Sequence, residues 1–426
     1  MKHLFCALCA LSLFGHLSFN LAAFAQEPNW NQFRGPNSDN HSFSTGIAKS
    51  WPEGGPRLLW QVDHIGVGFS NLSFYGNRIY TMGDIDGRCY ALALDRATGA
   101  IIWRTHIGRG GGNHVGPRAT PAVDGESVFV IGQHGDFVAL NASDGTVRWR
   151  KNLRNDFNSN IAGGWGFAMS PIFDGDKILV PVGGADGALI AFDKAGNVIW
   201  RSTGFTDQIG YNSVVVATIE GVRQYLLKTM SSIAGISPAD GSVLWRADFP
   251  SIIAVCSCPV AYGNVVIASC AYGTGTYFYR ITREGNNFRA TQFNRHVEPP
   301  ILESHHGGMV AVNGYFYFMA GGRHPGRETM VCLDAQTGNI VWEHPGIGKG
   351  SLTYVDGMLI LRHEGGGELN GTIALIEATP AGYREHGRFE QPNRTDISSW
   401  TYPVVVDRRL YIRDQNLLFV YDLSAQ

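Results

Sequence analysis

Short apolar runs broken by turn residues recur along the chain, and they fall into two repeating phrases. The first is LDRATGAIIW at residues 94–103, which returns as LDAQTGNIVW at 333–342. Weaker copies are LNASDGTVRW ending at Trp149, FDKAGNVIW ending at Trp200 and ISPADGSVLW ending at Trp245. In each, an apolar strand end meets a turn carrying a short polar residue and a glycine, and a second strand closes on Trp. The polar side chain bonds the local backbone and glycine takes the positive φ, so the phrase predicts a hairpin. Worn copies, ITREGNNFRA near Phe288 and IEATPAGYRE near Tyr383, put another aromatic in place of Trp.

The second phrase lies between copies of the first: VDGESVFV around Gly125, FDGDKILV around Gly175, VNGYFYF around Gly314 and VDGMLIL around Gly357. Looser versions centre on Gly76, Gly221, Gly263 and Arg408, and successive centres lie 42 to 51 residues apart. That is the period of a four-stranded propeller blade. The pattern therefore predicts an all-β chain: an eight-bladed β-propeller of four-stranded antiparallel blades spanning residues 58–426. The last blade, ending LFVYDLSAQ, lacks its outer strand, whereas PRLLWQV near the other end carries a Trp60 with no turn phrase of its own. Pairing the two closes the ring and removes its free edges. The repeated Trp residues are expected to pack between blades.

Composition adds context to this architecture. Of 426 residues, 44% are hydrophobic and only 16% charged, consistent with a large buried core, and 54 glycines are spread among the turns. The net charge is −2 without any Lys/Arg run, which argues against a nucleic-acid partner. The first 25 residues read as a signal peptide: Lys2 and His3, an apolar stretch, then Ala23-Phe24-Ala25 as cleavage site. Residues 26–57 form an N-terminal extended segment. The mature chain is expected to be periplasmic or secreted, monomeric and without a membrane span. Its five cysteines, Cys89, Cys256, Cys258, Cys270 and Cys332, are odd in number and have no zinc-type spacing. Buried thiols are the preferred reading, with a Cys256–Cys270 or Cys258–Cys270 bridge as the alternative.

The Leu-Asp-x-x-Thr-Gly-x-x-x-Trp phrase resembles the repeat of pyrroloquinoline-quinone-type β-propellers, a superfamily that includes quinoprotein alcohol dehydrogenases and an eight-bladed outer-membrane assembly lipoprotein. The segment NWNQFRGPNSDNHS at 29–42 is similar to the start of exported propellers of this type from planctomycete-like bacteria. The resemblance implies the fold over almost the whole mature chain. It does not fix activity, because the repeat is structural.

Propeller ligands bind at the channel mouth, where the segments leading into the innermost strands converge with the loops between second and third strands. The first set offers Ser70, Asn71, His114, Arg118, Trp165, Tyr211 and Asn212, then Cys256, Glu303, His305, His306, Lys349 and Trp400. The second set adds Asp84, His134, Arg323, His324, His363, Glu364 and Asp414. Such a ring of His, Arg and Trp in a weakly charged chain is the candidate site. Strand alternation would send His305 and His306 to opposite faces, so a metal site there would need His114, His134 or His363, and none is assigned.

Resemblance to the dehydrogenases would imply pyrroloquinoline quinone on a Trp floor, Trp165 or Trp400, with calcium held by oxygens such as Glu303, Asn71 and Asp84. The adjacent Cys pair of many such enzymes is absent, as are a Cys-x-x-Cys-His haem motif and long interstrand insertions. These departures favour a non-catalytic binding or scaffold propeller that takes a cell-envelope protein, peptide or saccharide. A quinone- and calcium-dependent alcohol or sugar dehydrogenase is the alternative.

Overall fold

A computed structural model of the chain describes residues 30–322, 328–365 and 371–425; the signal-peptide stretch, Arg323 and His324 lie outside them. The described residues form eight sheets of antiparallel blade strands, with one short helix, Leu153–Phe157. Blade one runs Ser73–Tyr75, Arg78–Ile85, Arg88–Asp95 and Ile101–Arg109, and each later blade repeats this meander. In blade eight only Val404–Val406, Arg409–Asp414 and Leu417–Asp422 come from the C-terminal part. Its outer strand is Leu58–Val62, which pairs antiparallel with Leu417–Asp422 and sets Trp60 opposite Val420. The ring closure expected from Trp60 is thus present.

The repeated phrase has a repeated physical job. Asp95 Oδ1 accepts from the amides of Ala97 and Thr98 at 3.0 and 2.9 Å, and Asp334 Oδ1 accepts from those of Gln336 and Thr337 at 3.0 and 2.8 Å. The terminal Trp of one blade then donates its indole N–H to the turn of the next: Trp103 to Ala142 O, Trp149 to Lys194 O, Trp200 to Pro238 O and Trp342 to Thr379 O, all at 2.9–3.3 Å. Trp packing and turn chemistry are therefore one device. The turn glycine must be glycine for two reasons. Gly145 has φ +74°, and a Cβ there would lie 2.6 Å from the Trp103 ring. At the seam, Gly99 of blade one meets Trp60 in the same way, at 2.8 Å.

Residues 30–51 do more than lead into the ring. They cross its channel at the far ends of the innermost strands. Trp30 O accepts from Phe74 N in blade one, and Asn31 O accepts from Val123 N in blade two. Gln32 Oε1 accepts from Phe173 N in blade three at 2.6 Å. On the opposite side Arg34 donates to Met309 O at 2.7 Å, beside blade six, and Ser42 donates to Val405 O of blade eight at 2.8 Å. His41–Ser42 adds a parallel fifth strand to blade seven, and Trp30, Ile47 and Trp51 are buried. The segment is a plug that ties six blades together.

Two fully buried arginines complete the seams around blade eight. Arg362 of blade seven donates to Thr401 Oγ1, Gln391 Oε1 and Ser399 Oγ at 2.6–3.0 Å. Arg413 of blade eight donates across to blade one, to Ser70 O, Thr81 Oγ1 and Met82 O at 2.6–2.7 Å and to Gly66 O at 3.1 Å. A guanidinium carries five donors in a fixed fork, which suits it to gathering carbonyls from two sheets.

Candidate functional site

The plug closes one end of the channel, and Phe33 from it forms the floor of a cavity of about 210 Å³ that opens at the other end. The walls are mostly aromatic: Phe69, Trp165, Tyr211, Tyr272, Trp400 and Tyr402. His114, Arg118, Cys256, His305 and His306 supply the polar atoms, together with Asn71 and the hydroxyls of Ser170, Ser213 and Thr401.

Trp400 is the centre of a stack. Phe69 and His306 each lie 4.3 Å from it, at 24° and 22°, and His114 meets it edge-on at 5.2 Å. Two rings that near cannot share one indole face without touching each other, so both faces of Trp400 are covered. Trp165 leans on Tyr211 at 5.6 Å, and the Tyr211 hydroxyl donates to Ala162 O. Arg118 donates to Gln133 Oε1 at 3.3 Å and to His114 O at 3.1 Å, which fixes its guanidinium at the wall. Burial, then the charges of Arg118 and His306, lowers the pKa of His114.

His305 and His306 both border the cavity, with ring centroids 3.6 Å apart. The expectation that they face opposite ways is corrected. They sit in an irregular bend ahead of the strand Val310–Val312, where pleat alternation does not hold. Behind them, Lys349 Nζ donates to His305 Nδ1 at 2.9 Å and pairs with Glu364 at 2.9 Å, while Glu364 faces His306 Nδ1 at 3.8 Å. Burial draws the His305 pKa down to about 2, so this ring is neutral. Burial would raise the Glu364 carboxyl, but His306 and Lys349 beside it outweigh that and hold it well below the usual carboxylate range. Lys349 and Glu364 are therefore support behind the wall.

The other candidates are committed to structure. Asn212 donates to Lys228 O at 2.8 Å, Ser70 to Asn71 O at 3.3 Å, and His363 Nδ1 accepts from Gly365 N at 3.1 Å. His134 lies against Gly111 O at 3.0 Å. Asp84 accepts from Gly111 N and Gln133, Glu303 from Gly273 N, and Asp414 from Gln391 and Thr395. The sequence reading missed Phe33, Phe69, Tyr272 and Tyr402. Phe69 adjoins Ser70 and Tyr402 lies two residues past Trp400, both singled out, but nothing in NQFRG signals that Phe33 reaches the channel. The five cysteines are free thiols.

The pattern of the family described as outer membrane protein assembly factor BamB matches residues 87–343, more than half of the chain. The chain belongs to this family. A search of curated proteins gives no match. Among solved structures, BamB from Moraxella catarrhalis is 14% identical, with TM-score 0.57, covering 87% of this chain and 99% of that one. Quinohemoprotein alcohol dehydrogenase from Comamonas testosteroni is 12% identical, with TM-score 0.64, covering 94% and 81%. A europium-containing methanol dehydrogenase is 14% identical, with TM-score 0.61, covering 90% and 89%. At such identities the likeness to these structures is one of fold.

The residues present do not fit a quinone–calcium pair. A quinone needs an open indole face; those of Trp400 are taken by Phe69 and His306, which leaves Trp165, tilted against Tyr211, as the remaining floor. Calcium needs several hard oxygens, yet no carboxylate among the described residues borders the cavity. Asp84, Glu303 and Asp414 are turned into hydrogen bonds behind the wall. Among the described residues no helix is long and apolar enough to cross a membrane.

Proposed function

We propose that this BamB-family propeller is an exported, non-catalytic binding protein of the cell envelope, and that its channel-mouth cavity seats an apolar or aromatic side chain of a partner peptide. The observation that carries this reading is the cavity itself: aromatic walls, a closed floor, and Arg118 as the guanidinium on its rim. Its volume of about 210 Å³ is below the roughly 300–1,000 Å³ of small-molecule pockets and is on the scale of one side chain. Large aromatic anchors in desolvated pockets dominate binding at protein interfaces. A carboxylate next to the anchor would meet Arg118 in a charge-assisted bond. A saccharide is less well served at Trp400, since sugar rings stack on open aromatic faces and both faces of that indole are covered.

The test is a fluorescence titration of the mature chain, because Trp165 and Trp400 border the cavity. Short acetylated Phe-Asp peptides are expected to give a saturable change, weakened about tenfold in R118Q, the worth of one charged hydrogen bond of about 1.5 kcal/mol. A saturable response to cello- or chito-oligosaccharides with silence toward the peptides would reject the reading.

A further inference from the structure

Cys256 precedes the innermost strand of blade five, Val260–Tyr262, and His305–His306 precede that of blade six, Val310–Val312. One possible ligand atom from each of the three lies within 4.8 Å of the other two. All three border the cavity. Cys256 is half-buried, whereas the other four cysteines are buried.

The surroundings treat this trio as a site. Glu364 lies 3.8 Å from His306 Nδ1, beyond hydrogen-bond length but within reach of a small ring rotation that would leave His306 Nε2 for a ligand. A carboxylate behind a histidine is the usual outer support of a metal-bound imidazole. His305 Nε2 is buried and has no hydrogen-bond partner among the described residues. In the Nδ1–H tautomer the lone pair of this nitrogen is free for a cation. The donor set, one thiol and two imidazoles, is soft to borderline.

We propose that Cys256, His305 and His306 bind a soft or borderline transition-metal ion, of the class of copper(I) and zinc(II), with a further coordination position open to the cavity. The site does not depend on the peptide reading. Metal bonds of about 2.3 Å to sulfur and about 2.0–2.1 Å to nitrogen require the three ligand atoms to close in by about 1 Å. The residues that must move sit in irregular loops ahead of their strands. The protons balance as follows. The Cys256 thiol gives up one proton to solvent, and its sulfur bonds the metal. Lys349 donates to His305 Nδ1, so the proton of the neutral ring is on Nε2. On binding, that proton passes to Nδ1, so Lys349 gives up its hydrogen bond to His305 and turns away to pair with Glu364 alone.

The experiment uses the reduced mature protein, with zinc(II), cobalt(II) as a spectroscopic stand-in for zinc, and copper(I) in competition with a chromophoric chelator. One equivalent of zinc or copper is expected, and the two arms show which ion the site prefers. Cobalt should give a thiolate charge-transfer band that is lost in C256S and kept in C332S. E364Q should bind about 10- to 100-fold more weakly, as outer-support losses do. Independently of any variant, bound metal should protect Cys256 of the wild-type chain from iodoacetamide, read by peptide mass spectrometry. Binding of neither ion, or a charge-transfer band and alkylation rate indifferent to Cys256 and to metal, would overturn the proposal.

Discussion

A chain that begins at residue 63 is expected to lose the cooperative unfolding transition of one that begins at residue 26. Two contributions disappear together. The strand Leu58–Val62 leaves blade eight with an open edge and takes Trp60 from its seat on Gly99. The plug is lost as well, with Trp30, Ile47 and Trp51, each at most 7% exposed. At about 1.5–3 kcal/mol per large buried apolar side chain, those three account for about 5–9 kcal/mol. A whole domain is stable by only about 5–15 kcal/mol. Urea unfolding followed by near-ultraviolet circular dichroism reads the outcome. A truncated chain that unfolds with the midpoint and slope of the full one would show that neither closure nor plug holds the ring.

Arg413→Met is expected to cost about 3–5 kcal/mol, the usual penalty for breaking a buried charged network by removing one member. The guanidinium serves Ser70, Thr81, Met82 and Gly66 in blade one while within electrostatic reach of Asp414 and Asp84. Met fills much of the space but donates nothing, so buried carbonyls at the seam lose their partner. A shift in the urea midpoint with an unchanged slope would report this loss in the folded state. A change under 1 kcal/mol would mean that these carbonyls find other donors.

The ring was legible because its signal is local and repeated. Each turn and its terminal aromatic lie within about ten residues, and seven copies of that phrase with eight of the glycine-centred one reinforce one period. Even the swapped strand could be inferred, since Trp60 was one Trp too many at one end and blade eight one strand short at the other. The plug was not legible. Residues 30–51 follow no period, and their partners lie up to hundreds of positions away, as Arg34 with Met309 and Ser42 with Val405 do. Of the site, the order of elements gave His114, Arg118, Trp165, Tyr211 and Trp400 their places, since each sits four to eight residues ahead of an innermost strand. Lys349 and Glu303 likewise precede innermost strands, and Asp84 and Glu364 lie at the ends of second strands, but all four turn behind the wall, because buried charges are held by partners that only the packed blades provide. The pairing of His305 with His306 failed to show for a related reason: the alternation rule needs a strand, and these residues lie in a bend.

The most direct test of the account is a titration of the purified protein, residues 26–426, with pyrroloquinoline quinone, with and without calcium, followed by tryptophan fluorescence and quinone absorbance. With both faces of Trp400 covered and no carboxylate among the described residues on the cavity wall, no saturable, calcium-dependent quenching is predicted up to high micromolar quinone. Saturable quenching that requires calcium would contradict the account and make the cavity a quinone site.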